Sequence, residues 1–295
     1  TKLFSMTVLL IICLMLFANN VKAQETGVTV SKSFAGEYVT EENLGVWNQN
    51  GEILEYDAKT GKTTVIDMEE VKRNAEQISK RMGFAQGTTK PFNSKNAQMN
   101  TRLYNGIAPL ATNDFYRVEN RLQNPYISIC KVRTSSGASG TGFLVGPKLL
   151  LTSAHCVFNK DANDAYYTGW SVAPAYHNGL YNNLSSGWSR IIYPTAYLQT
   201  HKWEDDWCLC ILGDDLGRSV GNWMGLSATA PSSSLTLKSV GYPTDIESAK
   251  YQYYSKGKVG NVSGGYFTLS YPLTGGMSGG PTFYENSPRI RKRDK

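Results

Sequence analysis

Past residue 110 the chain alternates short apolar runs with turn residues. The runs fall at 126–132, 141–145, 149–152, 208–212, 235–240 and 266–271, each bounded by Gly, Pro, Asn or Ser. Each has the length of a strand, and no long helical period interrupts them. Many short strands at such spacing predict an all-β body built as a barrel or a sandwich. Residues 24–105 differ: they are polar and uneven, with turn signals at 48–51 and 59–62. One helix is predicted over 68–82, with acids in its first turn, bases in its last and Gly83 just beyond. Gly, Thr, Pro, Ser and Asn dominate 87–100, which reads as a linker.

At the front, Lys2 precedes an apolar run over 6–17, and Ala23 precedes a polar stretch. That order describes a signal peptide over 1–23. The run is shorter than the roughly 20 residues that span a bilayer, so export without a lasting membrane anchor is expected. The predicted organisation is therefore a signal peptide (1–23), a pro-segment and linker (24–105) and a β-domain (106–295). The segment before about 105 is expected to be cut away near Lys95 or Arg102. A permanent accessory domain is the alternative.

Composition narrows the function classes. The 41% apolar and 18% charged content is that of a globular protein. A net charge of +6, scattered apart from the terminal Arg289, Arg291, Lys292 and Arg293, gives no basic, aromatic-lined groove for nucleic acid. Beyond the leader lie Cys130, Cys156, Cys208 and Cys210, which as four cysteines allow three pairings. Cys208 and Cys210, two apart in a strand, would have Cα atoms about 7 Å apart, unfavourable for a bond. Free thiols are at least as good a reading. Without a Cys-x-x-Cys pair, no metal site and no cofactor are expected.

Three residues carry a candidate chemistry. Ser278 sits in Thr274-Gly275-Gly276-Met277-Ser278-Gly279-Gly280-Pro281. Glycines there permit backbone angles other residues resist and leave N–H groups uncovered, so the amides of Gly276 and Ser278 could form an oxyanion hole. His155 ends the apolar run Leu149-Leu150-Leu151 through small residues. The other histidines, His177 and His201, lie in polar, turn-like surroundings and read as surface side chains. Asp206 opens the apolar run 208–212, where its charge needs a hydrogen-bonding partner such as an imidazole. Asp205 competes with it. Taken singly, these motifs are also compatible with a glycine turn, a structural histidine and a capping aspartate. Together they supply nucleophile, base and orienting carboxylate in the order His, Asp, Ser, a known order for the triad.

The blocks Gly140-Thr141-Gly142-Phe143-Leu144-Val145, Ser153-Ala154-His155-Cys156, Asp206-Trp207-Cys208-Leu209, Gly241-Tyr242-Pro243 and Gly275 to Pro281 resemble the bacterial glutamyl endopeptidase branch of the chymotrypsin-like serine proteases. The likeness covers about residues 115–284. It implies a chymotrypsin-like double β-barrel with the active site between barrels, and a secreted, monomeric endopeptidase acting on protein or peptide substrates. It also implies activation by loss of a pro-segment, and the base, orienting and nucleophile roles for His155, Asp206 and Ser278. Leu273, Thr274 and Gly275 would line the substrate site.

The chain departs from the family in three places. Met277 stands where animal relatives carry the aspartate of their activation switch. Leu273 replaces the threonine usual in glutamate-specific members, so a preference for acidic residues is not expected. The charged tail after Ser278 is unlike the strands that wall the primary pocket, so a second barrel incomplete at its C-terminal end is expected. A truncated sequence is the first explanation. A non-catalytic binding protein on the same scaffold is the alternative function.

Overall fold

The computed structural model describes residues 52–67, 114–159, 165–179, 184–226, 231–263 and 266–284, with residues 70 and 73 and the short pieces 32–33, 92–93 and 111–112. The expected signal peptide, all of the linker but the short strand Phe92–Asn93, most of the expected helix over 68–82 and the charged tail lie outside the described residues.

Strands dominate, as the runs predicted. Leu149–Thr152 and Cys208–Leu212 have the expected bounds, because every residue in both is buried. Alternate side chains serve different cores. Leu150, Cys208, Cys210 and Leu212 join the interior of the first unit with Leu144, Ile191 and Tyr193. Leu149, Leu151, Leu209 and Ile211 face a second cluster that includes Val240 and Tyr242 of the other unit. A strand buried on both faces reads as an unbroken apolar run, and each fully buried aliphatic side chain contributes about 1.5–3 kcal/mol.

The first unit is one antiparallel sheet. In order it runs Ser171–Pro174, Ile129–Arg133, Ser139–Gly146, Leu149–Thr152, Cys208–Leu212 and Trp188–Pro194. It curls back on itself: Val172 N donates to Ser186 O at 2.8 Å and Ser186 N to Val172 O at 3.0 Å. That bridge joins the first strand of the order to the residues leading into the last and makes the sheet a barrel. The other edge of Trp188–Pro194 pairs with Ile53–Asp57, which in turn pairs with Lys62–Val65. The expected pro-segment thus contributes a hairpin to the barrel sheet. Tyr126–Ser128, expected as strand, is a 3-10 turn leading into Ile129–Arg133.

The second unit orders Thr282–Phe283, Thr236–Gly241, Tyr253–Ser263, Phe115–Arg117 and Ala111–Thr112, with Tyr266–Leu269 also on Tyr253–Ser263. The two units pack through the shared cluster of Ile129, Phe143, Leu209, Val240 and Tyr242.

Candidate active site

Strand register brings two of the candidates together. Thr152 is paired with Cys208. His155 lies three residues after the first and Asp206 two before the second, so both emerge at one end of adjacent strands. A 3-10 turn over Ala154–Cys156 carries the histidine, and Asp206 follows another over Trp203–Asp205. Asp206 therefore lies just ahead of the strand.

The pairing is close. His155 Nδ1 and Asp206 Oδ2 are 2.6 Å apart, and the His155 backbone N–H donates to Asp206 Oδ1 at 2.9 Å. One carboxylate oxygen orients the ring and the other pins its backbone. The carboxylate is 9% exposed and the imidazole 37%. Burial works against a charged imidazole. The hydrogen bonds to Asp206 and to Cys156 outweigh it, and the pKa is pushed up to about 10. Of Asp205 and Asp206, it is the Asp206 carboxylate that meets the His155 ring.

Ser278 lies in a loop that the second unit supplies and the first unit holds. Thr141 N donates to Ser278 O at 2.8 Å, and Thr141 Oγ1 donates to Gly276 O at 2.7 Å. The same hydroxyl accepts from Tyr242 N at 3.0 Å. Gly276 and Gly279 sit at φ +86° and +78°, which side-chain-bearing residues rarely adopt. A Cβ on Gly276 would lie 2.3 Å from Tyr242 O, and one on Gly279 2.2 Å from Thr152 Oγ1. Only glycine fits at either place. His155, Cys156, Gly140, Thr134, Tyr167 and Ser278 share the walls of one cleft of about 190 Å³.

The amides of Gly276 and Ser278 donate to no protein acceptor among the described residues. The carbonyl of each of their peptide units is held. Gly275 O accepts from Thr244 N at 2.8 Å, and Met277 O from Gly280 N at 2.9 Å. In a trans peptide N–H and C=O point opposite ways, so anchoring the carbonyl sets the direction of the free N–H.

The rest of the loop is placed as follows. Leu273 is exposed, Thr274 Oγ1 donates to Asp245 Oδ2 at 2.6 Å, and Gly275 is exposed. His201 is exposed, at the left-handed end of the short helix Thr195–Thr200. His177 departs from the surface reading. It is half-buried against the Tyr251 ring, with centroids 4.7 Å apart. Burial, then Arg121 and Arg117, bring its pKa down to about 4.

All four described cysteines are free thiols. Among the described residues no three His, Cys, Asp or Glu side chains gather as a metal site. The residue that sequence reading missed is Cys156. Its thiol donates to Ser278 O at 3.6 Å, and it helps to raise the His155 pKa. Adjacency to His155 was its only signal.

The sequence profile described as "Trypsin-like peptidase domain" matches residues 140–287. The glutamyl endopeptidase of Bacillus licheniformis is 30% identical over 186 residues, covering 61% of this chain and 56% of that protein. A protein of Bacillus subtilis named extracellular metalloprotease is 27% identical over 147 residues, covering 46% of this chain and 45% of that one. The chain thus spans about half the length of the curated relatives it matches. A solved structure described as Glu endopeptidase in complex with MPD is 25% identical, with a TM-score of 0.49, covering 60% of this chain and 82% of that one.

Proposed function

The chain belongs to the trypsin-like peptidase domain family, and on that premise we propose that it is a secreted serine endopeptidase in which Ser278, His155 and Asp206 work as a triad. The observation that carries the reading is the 2.6 Å contact between His155 Nδ1 and Asp206 Oδ2 beside a cleft that His155 shares with Ser278.

In this mechanism the Ser278 hydroxyl attacks the carbonyl carbon of a peptide bond while His155, through its second ring nitrogen, takes the hydroxyl proton. Asp206 holds the Nδ1–H tautomer and stabilises the imidazolium. The oxyanion of the tetrahedral intermediate accepts from the uncommitted N–H groups of Gly276 and Ser278, and each such donor is worth about 3 kcal/mol of barrier. His155 returns the proton to the leaving amine, the C–N bond breaks, and an acyl-enzyme remains on Ser278. Water, deprotonated by His155, then releases the acid.

The substrate is a protein or peptide chain, bound past Leu273, Thr274 and Gly275. Leu273 offers no hydrogen-bond donor, so the glutamate preference in the Bacillus licheniformis relative's name does not carry over. Export follows the leader-like pattern over 1–23, and maturation a cut near Lys95 or Arg102.

Labelling of the secreted protein with a fluorophosphonate probe tests the reading. The parent protein is expected to label and Ser278→Ala to lose the label while keeping its circular dichroism. A well-folded protein that takes no label would overturn the enzyme and favour the binding-protein alternative.

A further inference from the structure

The hairpin at 53–65 belongs by sequence to the segment expected to be removed, but it is built into the barrel. Five residues of Ile53–Asp57 are in register with Arg190 to Pro194 along the edge of Trp188–Pro194. The ladder is extended at both ends: Ala58 N donates to Ser189 O at 2.8 Å, and Thr195 N and Oγ1 both donate to Glu52 O at 3.0 Å. Side chains follow the period of two. Leu54, 7% exposed, enters the interior cluster of the barrel with Ile191 and Tyr193, while Ile53, 6% exposed, joins the cluster on the other face. Tyr56 stacks on Tyr166 with centroids 4.3 Å apart and meets the edge of Trp188 at 6.0 Å. Arg190 Nη1 is 3.0 Å from Glu55 Oε1.

A covering element that merely blocked a cleft would lie across His155 and Ser278. This hairpin instead completes a sheet and a core, and the cleft is walled by other residues. Its loss would leave the edge of 190–194 unpaired and uncover aromatic side chains, the exposure that proteins avoid at sheet edges. Glu52 also holds Thr195, the first residue of the helix Thr195–Thr200, which leads through 201–205 to Asp206.

We infer that residues 52–66 are a permanent strand pair of the working protein, and that after a cut between this hairpin and the β-domain the released segment stays bound to it as a second, non-covalent chain. The interaction surface is the edge of Trp188–Pro194, and its partner is this chain's own hairpin. The cut itself is ordinary hydrolysis of one peptide bond, with water supplying the new carboxyl and amine.

The test uses the full chain with the recognition sequence of a site-specific protease inserted between Gln86 and Gly87, upstream of the short pair that Phe92–Asn93 makes with Asn222–Trp223. After cutting, both fragments are expected to elute together on a native column, at the position of the intact chain, and to part only in denaturant. Elution of the N-terminal fragment on its own would overturn the inference. In the same background Leu54→Asp with Tyr56→Ser is expected to release at least ten times more fragment. Undiminished retention in that variant would show that something other than the hairpin holds the segment. If the variant does not fold, the result from the parent chain decides alone.

Discussion

Asp206 grips His155 at two points, with Oδ2 2.6 Å from ring Nδ1 and Oδ1 accepting the residue's own backbone N–H at 2.9 Å. The carboxylate therefore fixes ring tautomer and backbone position together. Asp206→Asn keeps the size, but its amide nitrogen cannot accept from the ring N–H and favours the wrong tautomer. By the behaviour of such triads, kcat is expected to fall by about 10⁴. Steady-state assays on a peptide substrate, beside an unchanged thermal midpoint, would check this. A loss under tenfold would mean that Asp206 does not orient the base.

The same contacts set the pH dependence. The proposed general base, His155, must be neutral to act, and its pKa is raised to about 10 by Asp206 and Cys156 against the effect of burial. Protonation is therefore lost only above the range of a free imidazole, and kcat/KM is expected to keep rising on the alkaline side of pH 7. Asp206→Asn and Cys156→Ala should each move the rising limb toward lower pH. A parent profile already flat at pH 7 would contradict the raised pKa.

How far the sequence disclosed this arrangement depended on burial. Leu149–Thr152 and Cys208–Leu212 were legible because both faces are covered, which leaves no charged residue to break the run. Tyr253–Ser263 carries Lys256, Gly257, Lys258 and Asn261 along exposed or half-buried positions, and its apolar signal disappears. Trp188–Pro194 is half-buried at its start, and Ile53–Asp57 keeps only Ile53 and Leu54 fully covered. Strand pairing at long range, not local pattern, makes these elements. The candidate site was more readable than the fold, since Gly276 and Gly279 are required by φ and close approach. The contact of the Cys156 thiol was hidden, because it depends on a carbonyl that the chain folds against it.

Those glycines make a contrast that separates strain from crowding. Gly279 sits at φ +78°, and a Cβ would stand 2.2 Å from Thr152 Oγ1 and 2.3 Å from Thr141 O. Gly137 sits at φ +88° with nothing within 4 Å. Gly137→Ala is expected to cost only the backbone penalty, about 1–2 kcal/mol. Gly279→Ala must also push apart two strands of the barrel, so it should cost more and abolish probe labelling. Denaturant titration of both variants would show the difference, and equal costs would mean that the serine loop is not docked as described.

Thr141 offers the sharpest test of how the two units hold the site. Its buried hydroxyl donates to Gly276 O and accepts from Tyr242 N, so one oxygen ties a first-barrel strand to the serine loop and to the strand end at Gly241. Thr141→Val preserves shape and removes both bonds. The carbonyl and the amide would be left buried, each costing about 1–3 kcal/mol. The Gly276 carbonyl would also be free to turn, loosening the loop that carries the two proposed oxyanion donors. Because those donors act on charge that develops only in the transition state, kcat is expected to drop about 10- to 100-fold with KM little changed. Thr141→Ser keeps the hydroxyl and should stay within about threefold of the parent on the same reasoning. If valine and serine behave alike, the hydroxyl does not position the loop. If valine raises KM and spares kcat, its effect falls on substrate binding instead.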